Sequence, residues 1–170
     1  MSLTIAELNA ADQATFTAAL GHLFEHAPWI AEETWAHRPF RDAAHLHAEL
    51  VATMRMASRG RQKTLIEAHP DLAGRAAQQR QLTPDSSREQ ASAGLLRLTD
   101  AELAEFQEAN AAYRERFGFP FIICARLNAK DHILHAMRTR YRHSPAEEWT
   151  TALSEIEKIA RLRLDDLMRT

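Results

Sequence analysis

Apolar residues recur at three- and four-residue intervals along this chain, and no stretch of strand length alternates apolar with polar residues. In the segment 99–116, Leu103, Phe106 and Tyr113 fall on one face of a helix. Valine, which buried parallel strands favour, occurs once, as Val51. The sequence therefore predicts an all-α fold.

Cap signals support the same prediction. Thr99 and Glu102 fit the capping-box pattern at the start of a long helix, and Gly118 can end that helix. The stretch Ser144–Glu147 repeats the pattern, with a proline at the first helical position. Helices are predicted at about residues 11–24, 42–57, 62–68, 99–116, 130–141 and 145–168.

One segment interrupts the helical pattern. Residues 69–85 are polar and irregular, and Pro70 disfavours helical geometry at His69. No linker or internal repeat is found, so we predict one compact domain over residues 1–170 with a long irregular excursion after His69. Such excursions inside compact domains are commonly functional.

Composition and motifs exclude several classes of function. Five glycines, with no GxGxxG or GxxxxGK[ST] motif, argue against a nucleotide-binding α/β fold. A net charge of −2 argues against nucleic-acid binding. The longest apolar run, Phe119–Ala125, is too short to span a membrane. Cys124 is the single cysteine and is predicted to be buried and inert, so a reducing compartment, the cytoplasm, is expected.

Two clusters of polar residues could suggest other functions, one of them a possible metal site and the other a run of arginines. His22, Glu25 and His26 fit H-x-x-E-H, and two imidazoles four residues apart on a helix could bind zinc. The same segment must supply apolar residues to the core, and no third ligand follows, so a zinc hydrolase is a minor alternative. The basic run of Arg138, Arg140 and Arg142 has glutamates nearby and is predicted to form a solvated helix face.

His69 is the histidine with the most informative context. A ring held where a helix breaks can face a cavity, and its ordinary pKa near 6.5 suits proton transfer at neutral pH. A plain structural histidine is the competing interpretation. Further along, Ser86 is predicted to cap the next helix with Glu89 at the third helical position, which by itself is a capping box.

Five segments of the chain match one known family in the expected order. They are Phe24–Trp29, Ala68–Ala73, Leu82–Leu95, Phe117–Ile122 and Ile159–Leu164. Together they resemble the OHCU decarboxylase family of the ureide pathway, where OHCU is 2-oxo-4-hydroxy-4-carboxy-5-ureidoimidazoline. Each motif alone is modest, whereas the ordered set covers nearly the whole chain and is specific.

The resemblance implies an all-helical, cofactor-free homodimer that converts OHCU to (S)-allantoin without a metal. It implies that His69 and Glu89 are catalytic and that six further residues contact the substrate. Arg161 is an alternative to Arg163 among these contacts. These contact residues are Pro70, Ser86, Phe119, Phe121, Ile122 and Arg163. A non-catalytic helical interaction domain, in which the motifs are only turns and caps, is the competing hypothesis.

Overall fold

The protein is helical throughout the part of the chain that the structure describes. A computed structural model describes residues 3–169, apart from the side chains of Gln78 and Arg169, so the ends of the predicted domain 1–170 lie outside the described residues. Within these residues there are ten α-helices and no strand, which confirms the predicted all-α class. The helices are Ile5–Ala10 (α1), Gln13–Leu20 (α2), Trp29–Thr34 (α3), Ala43–Met56 (α4), Arg59–Ala68 (α5), Arg75–Gln78 (α6), Pro84–Ser92 (α7), Asp100–Phe117 (α8), Lys130–Arg140 (α9) and Pro145–Arg169 (α10).

Local cap chemistry accounts for the ends of the longest helices. The Thr99 hydroxyl accepts from the Glu102 backbone N–H, and the Glu102 carboxylate accepts from the Thr99 N–H, as predicted for α8. That helix ends at Gly118, whose φ of 77° is left-handed and therefore favours glycine. Ser144 and Glu147 form the reciprocal pair at the start of α10.

The chain divides into two compact units. The first comprises residues 1–68 and 156–170, and the second comprises residues 69–155. In the first unit, α3 packs against both α2 and α4. Its buried core includes Leu8, Phe16, Leu20, Ile30, Leu46, Leu50, Met54 and Leu164.

The second unit is built around α8. The Tyr113 ring contacts Phe117 at 4.5 Å, and meets Phe121 edge to face at 5.3 Å between ring centroids. Phe119 in turn meets the Trp149 ring edge to face at 5.8 Å. Aromatic pairs of this kind stabilise a core beyond the area that they bury. They also pack the segment after α8 against the unit's interior.

Four details of the helix prediction are wrong. The predicted helix 11–24 is limited to α2, and a separate helix, α1, precedes it with its own Thr4–Glu7 capping box. Two short helices, α3 and α6, were not predicted. The long irregular excursion is confirmed, because α6 is the only helix described between residues 68 and 84. None of the helices within residues 3–169 combines the length and the hydropathy that crossing a bilayer requires.

Candidate active site

His69 directly follows the last residue of α5. The helix ends at Ala68, as the proline at position 70 predicts. The His69 residue is only 7% exposed, and it begins a non-helical segment that runs to Gly74. The ring is therefore held at the start of an irregular segment rather than displayed on a surface helix.

The segment that follows His69 is fixed to α7 by one buried side chain. Gln90, which is 2% exposed, accepts a hydrogen bond from the Ala73 backbone N–H at 2.9 Å. Its amide nitrogen donates to the Asp71 carbonyl at 3.3 Å. One amide group thus satisfies a donor and an acceptor of the irregular segment, which ties that segment to the helix that carries Ser86 and Glu89.

Helix α8 fixes the same segment from a second direction. The Asn110 amide donates to the Leu72 carbonyl at 2.9 Å, and the Arg114 Nε donates to the Asp71 carboxylate at 2.9 Å. The turn is also sterically tight, because a Cβ on Gly74 would lie 2.6 Å from the Asp71 Cβ. Any larger residue at position 74 would therefore displace the turn.

Ser86 is not the residue that caps α7. The cap is Thr83, whose hydroxyl accepts from the Ser86 backbone N–H at 3.3 Å, and Pro84 occupies the first helical position. Proline suits that position because its φ is already helical and its missing N–H would have no intrahelical partner. The predicted Ser86–Glu89 capping box is therefore wrong. The Ser86 side chain is buried, and Glu89 lies one turn further on the same helix face.

The far end of α7 lies beside the segment that follows α8. The Lys130 backbone N–H donates to the Ala93 carbonyl at 3.1 Å, and α7 packs against the 3₁₀ turn Ala125–Leu127. Burial, together with the nearby Glu155 and Glu89 carboxylates, raises the pKa of the Cys124 thiol to about 11. Cys124 is thus buried as predicted, and Glu89 is close enough to act on it electrostatically.

The segment Phe119–Cys124 is buried but has no regular secondary structure. Within the described part of the chain, the backbone N–H groups of Phe121, Ile122 and Ile123 donate to no protein acceptor. Buried backbone N–H groups are nearly always paired, so such a row is unusual. These amides can serve as hydrogen-bond donors to a bound molecule.

Arg163 belongs to the first unit, where its side chain is deeply buried. Its Nη1 and Nη2 both donate to the Glu25 carboxylate at 3.1 Å, and Nη1 also donates to the His22 carbonyl at 3.2 Å. The neighbouring Arg161 is more exposed and pairs with Asp165 on its own helix. Of the two arginines, Arg163 is the one held rigidly.

The geometrical premise of a zinc site at His22 and His26 is wrong. Helix α2 ends at Leu20, so residues 22–26 do not place the two rings on one helix face. Both histidines are exposed, and His26 has a left-handed backbone with φ 50°. No three His, Cys, Asp or Glu side chains between residues 3 and 169 are grouped as metal ligands. Glu25 instead pairs with Arg163.

The contacts of the second unit join three parts of the chain. They link the turn after His69 to the helix with Ser86 and Glu89, and that helix to residues 125–130, which directly follow the Phe119–Cys124 segment. Sequence reasoning missed the buried amide side chains of Gln90 and Asn110, which hold the turn after His69 against α7 and α8. The signal for Gln90 was its place beside Glu89, but nothing in a single sequence marks an amide as a tertiary partner.

This fold and this set of groups define an all-α protein whose second unit carries a buried imidazole, a buried hydroxyl, a carboxylate and a row of buried backbone amides on neighbouring segments. A sequence model of the family described as OHCU decarboxylase matches residues 9–165. The chain belongs to the OHCU decarboxylase family.

Individual relatives agree with the family match. The chain is 42% identical over 165 residues to the 2-oxo-4-hydroxy-4-carboxy-5-ureidoimidazoline decarboxylase of Halalkalicoccus jeotgali, covering 97% of this chain and 92% of that protein. It is 39% identical to the mouse (Mus musculus) enzyme of the same name, covering 98% and 93% respectively. The solved structure of (S)-allantoin synthase superposes with a TM-score of 0.76 at 31% identity over 98% of this chain, which spans 54% of that longer chain.

Proposed function

We propose that this protein decarboxylates OHCU to (S)-allantoin in urate catabolism. The relatives named for this substrate are similar over nearly their full length, and the solved neighbour is an (S)-allantoin synthase. The structural observation that carries the proposal is the Gln90 link, which fixes the His69 turn to the helix of Ser86 and Glu89.

The chemistry requires a proton carrier and hydrogen-bond partners rather than an added electron acceptor. When the carboxylate carbon leaves as carbon dioxide, the electron pair of the broken bond passes to the adjacent imine of the substrate. The imine nitrogen takes up one proton from the medium, in place of the proton of the ionised carboxyl group. The substrate hydroxyl loses its proton and becomes a carbonyl, and one proton is returned to the carbon that becomes the stereocentre. Carbon dioxide and allantoin thus account for every atom of the substrate. What the protein supplies is orientation and charge placement.

The site residues take their proposed roles from this chemistry. His69, beside Pro70, takes the proton of the substrate hydroxyl and so promotes loss of the carboxylate. Glu89 accepts hydrogen bonds from the ring or ureido N–H groups, because a carboxylate accepts from paired donors. Ser86 adds a hydroxyl contact. Arg163, whose two terminal nitrogens are held by Glu25, is the proposed cationic contact for a carbonyl or carboxylate.

The segment of Phe119, Phe121 and Ile122 is proposed to bind the ring substituents. Its backbone amides have no acceptor among the described residues, so they are available to the carbonyl oxygens of the substrate. Phe119 and Phe121 are themselves buried, so the segment lies in apolar surroundings. Hydrogen bonds formed in such an environment are stronger than those formed in water.

A homodimer located in the cytoplasm is the proposed working form. The lone buried thiol of Cys124 suits a reducing compartment. Light scattering coupled to gel filtration should give twice the 19.3 kDa chain mass. A mass of one chain at assay concentrations would contradict the dimer without affecting the proposed reaction.

Replacement of His69 tests the function most directly. With freshly prepared OHCU as substrate, circular dichroism follows the formation of optically active allantoin. The His69→Ala variant should lose about 100-fold or more of the parental rate, because a positioned acid–base group contributes roughly 10²- to 10⁴-fold. His132→Ala, which removes an exposed histidine of α9, is the matched control and should keep parental activity. Near-parental turnover by a well-folded His69→Ala protein would falsify the assignment.

Replacement of Glu89 separates substrate binding from helix stability. Glu89→Gln keeps the size of the side chain and removes its charge, and Thr83 rather than Glu89 caps α7. The variant should therefore unfold at the parental temperature yet lose most of its activity. Equal losses of stability and activity would favour a purely structural role and support the non-catalytic alternative.

A further inference from the structure

A fully buried carboxylate in the second unit gathers donors from three parts of the chain. Glu148, at the start of α10, is 0% exposed. It accepts from the Tyr113 hydroxyl of α8, and from Arg140 of α9 through Nη2 at 2.8 Å and Nε at 3.1 Å. His143 Nδ1 lies 3.0 Å from its other oxygen. The prediction that Arg140 belongs to a solvated helix face is wrong, because this residue is 8% exposed, whereas Arg138 and Arg142 are exposed.

The third nitrogen of Arg140 extends this cluster to the candidate substrate-binding segment. Nη1 donates to the Ile122 carbonyl at 2.8 Å. The guanidinium also lies over the Phe121 ring, 4.1 Å from its centroid, and Tyr113 meets the same ring edge to face. The cluster of Tyr113, Arg140 and Glu148 therefore contacts the segment through one backbone carbonyl and one aromatic ring.

By holding the Ile122 carbonyl, Arg140 also fixes the direction of the backbone N–H group in the same peptide unit. A peptide unit is planar and trans, so its C=O and N–H point in opposite directions. Since Arg140 holds the Ile122 carbonyl, the Ile123 N–H points away from the guanidinium. The next peptide unit is held as well, because the Cys124 N–H donates to the Glu155 carboxylate at 2.9 Å. Two successive peptide planes are thus set by buried charged side chains.

A positioning role accounts for the presence of this cluster better than stability does. Burying an arginine–glutamate pair costs desolvation that apolar residues of similar volume would avoid. The same charges are well suited to hold a backbone segment in one orientation, because a planar guanidinium fork allows little rotation once both ends are bound. Burial and the Glu148 carboxylate raise the pKa of Tyr113, so its hydroxyl stays protonated and remains a donor.

We propose that Tyr113, Arg140 and Glu148 are positioning residues of the decarboxylation. By holding the Phe121 ring and the Ile122 carbonyl, they orient the Ile123 N–H, and with it the neighbouring amides of this segment, toward the substrate. This inference rests on the proposed function for the identity of the substrate. It rests on the described contacts alone for the placement of the amides.

Two substitutions remove the restraint in steps. Arg140→Lys keeps the charge toward Glu148 but loses the fork that reaches Ile122. Its kcat/KM for OHCU should fall roughly 10- to 100-fold, mainly through a higher KM, since small misplacements of binding groups are costly. Tyr113→Phe removes one hydrogen bond and should lower kcat/KM roughly 2- to 10-fold. Arg138→Lys, on the exposed side of α9 and paired there with Glu105, is the control and should match the parent.

Amide resonances of Ile122 and Ile123 give a readout that a merely structural role would not change. In the parent protein, titration with (S)-allantoin should shift both resonances. In a folded Arg140→Lys protein the same titration should shift them much less. Parental kcat/KM together with a parental amide response in Arg140→Lys would overturn the proposal. If Arg140→Lys fails to fold, the same pair of measurements on Tyr113→Phe decides.

Failure of the proposed function would be recognised separately. A parent protein that turns over no OHCU contradicts the function. In that case the spectra without allantoin still test whether Arg140 places the backbone amides. Shifted Ile122 and Ile123 resonances in Arg140→Lys support that role, and unshifted resonances overturn it.

Discussion

Each of the two units buries one arginine against one glutamate, and the two pairs are built differently. Arg163 places both terminal nitrogens on Glu25 and adds the carbonyl of His22, so it connects α10 to the turn after α2. Arg140 places Nε and Nη2 on Glu148 and keeps Nη1 for the carbonyl of Ile122. Glu148 also receives a tyrosine hydroxyl.

The difference shows that burial alone does not reveal what an arginine does. Family resemblance assigns Arg163 to the substrate, whereas the structure shows both of its terminal nitrogens held by Glu25. Arg140 carries no such assignment, yet it holds the backbone whose amides are proposed to bind the substrate. The first arginine is proposed to act directly, and the second through a main-chain carbonyl.

The largest expected effect concerns stability, and it tests whether the two pairs are equally embedded. Glu148→Ala and Glu25→Ala each leave a buried guanidinium without its carboxylate, so each should lower the free energy of unfolding by about 3–5 kcal/mol. The matched control is Glu67→Ala, which removes an exposed pair with Lys63 and should cost about 0–1 kcal/mol. Urea unfolding followed by circular dichroism measures all three. Equal losses of unfolding free energy in Glu148→Ala and Glu67→Ala would contradict the conclusion that Arg140 and Glu148 form a buried pair.

The second effect concerns activity and separates direct from indirect action. Arg163→Lys keeps a positive charge but loses the fork, so kcat/KM for OHCU should fall about 100- to 1000-fold, as for loss of one preorganised donor. Arg161→Lys, two positions earlier and paired with Asp165, should stay near the parental value. The reverse pattern would assign the substrate contact to Arg161 instead.

The smallest effect uses Cys124 as a reporter of the segment that Arg140 holds. Burial raises the pKa of this thiol to about 11, so in the folded protein it stays protonated and reacts slowly at pH 8. Arg140→Lys should speed its labelling by a disulfide reagent about tenfold, which corresponds to opening that is easier by roughly 1.4 kcal/mol. Glu25→Gln, in the other unit, should leave the rate unchanged. Equal rates in the parent and Arg140→Lys would show that Arg140 does not hold this segment.

The same thiol has a pH signature whose sign follows from its raised pKa. The folded state keeps its proton up to about pH 11, whereas an ordinary thiol loses its proton near pH 8.5. The contribution of Cys124 to stability is therefore fully present below pH 8.5 and is lost as the pH rises toward 11. A Cys124→Ala variant should show a shallower loss of stability across that range in urea unfolding. An identical slope in both proteins would contradict this account.

Features that depend on near neighbours in sequence were predictable. The caps at Thr99 and Ser144 and the stop at Gly118 need only residues within three or four positions, and all were predicted. Where two local signals compete, prediction failed: Thr83 and Ser86 are both acceptable caps, and the proline after Thr83 decides between them. The cap of α1 at Thr4 carried the same pattern as Thr99 and was overlooked.

Features that depend on distant partners were not predictable in the same way. Nothing near Arg140 distinguishes it from Arg138 and Arg142, because its partners lie on α10 and on the segment after α8. Gln90 likewise gains its hydrogen-bond partners only when the turn after His69 folds against it, so its role could not be predicted from neighbouring residues. The candidate catalytic residues came from a resemblance to a family, and the contacts that hold their segments came from the structure.

The bond from Arg140 to position 122 is made to the main chain, and this has a consequence for altering the enzyme. Every amino acid provides the same carbonyl, so exchanging Ile122 for another apolar residue removes no hydrogen bond from the restraint. The side chain that is proposed to line the substrate site at this position can therefore be varied, by evolution or in the laboratory, while the amides beside it keep their orientation.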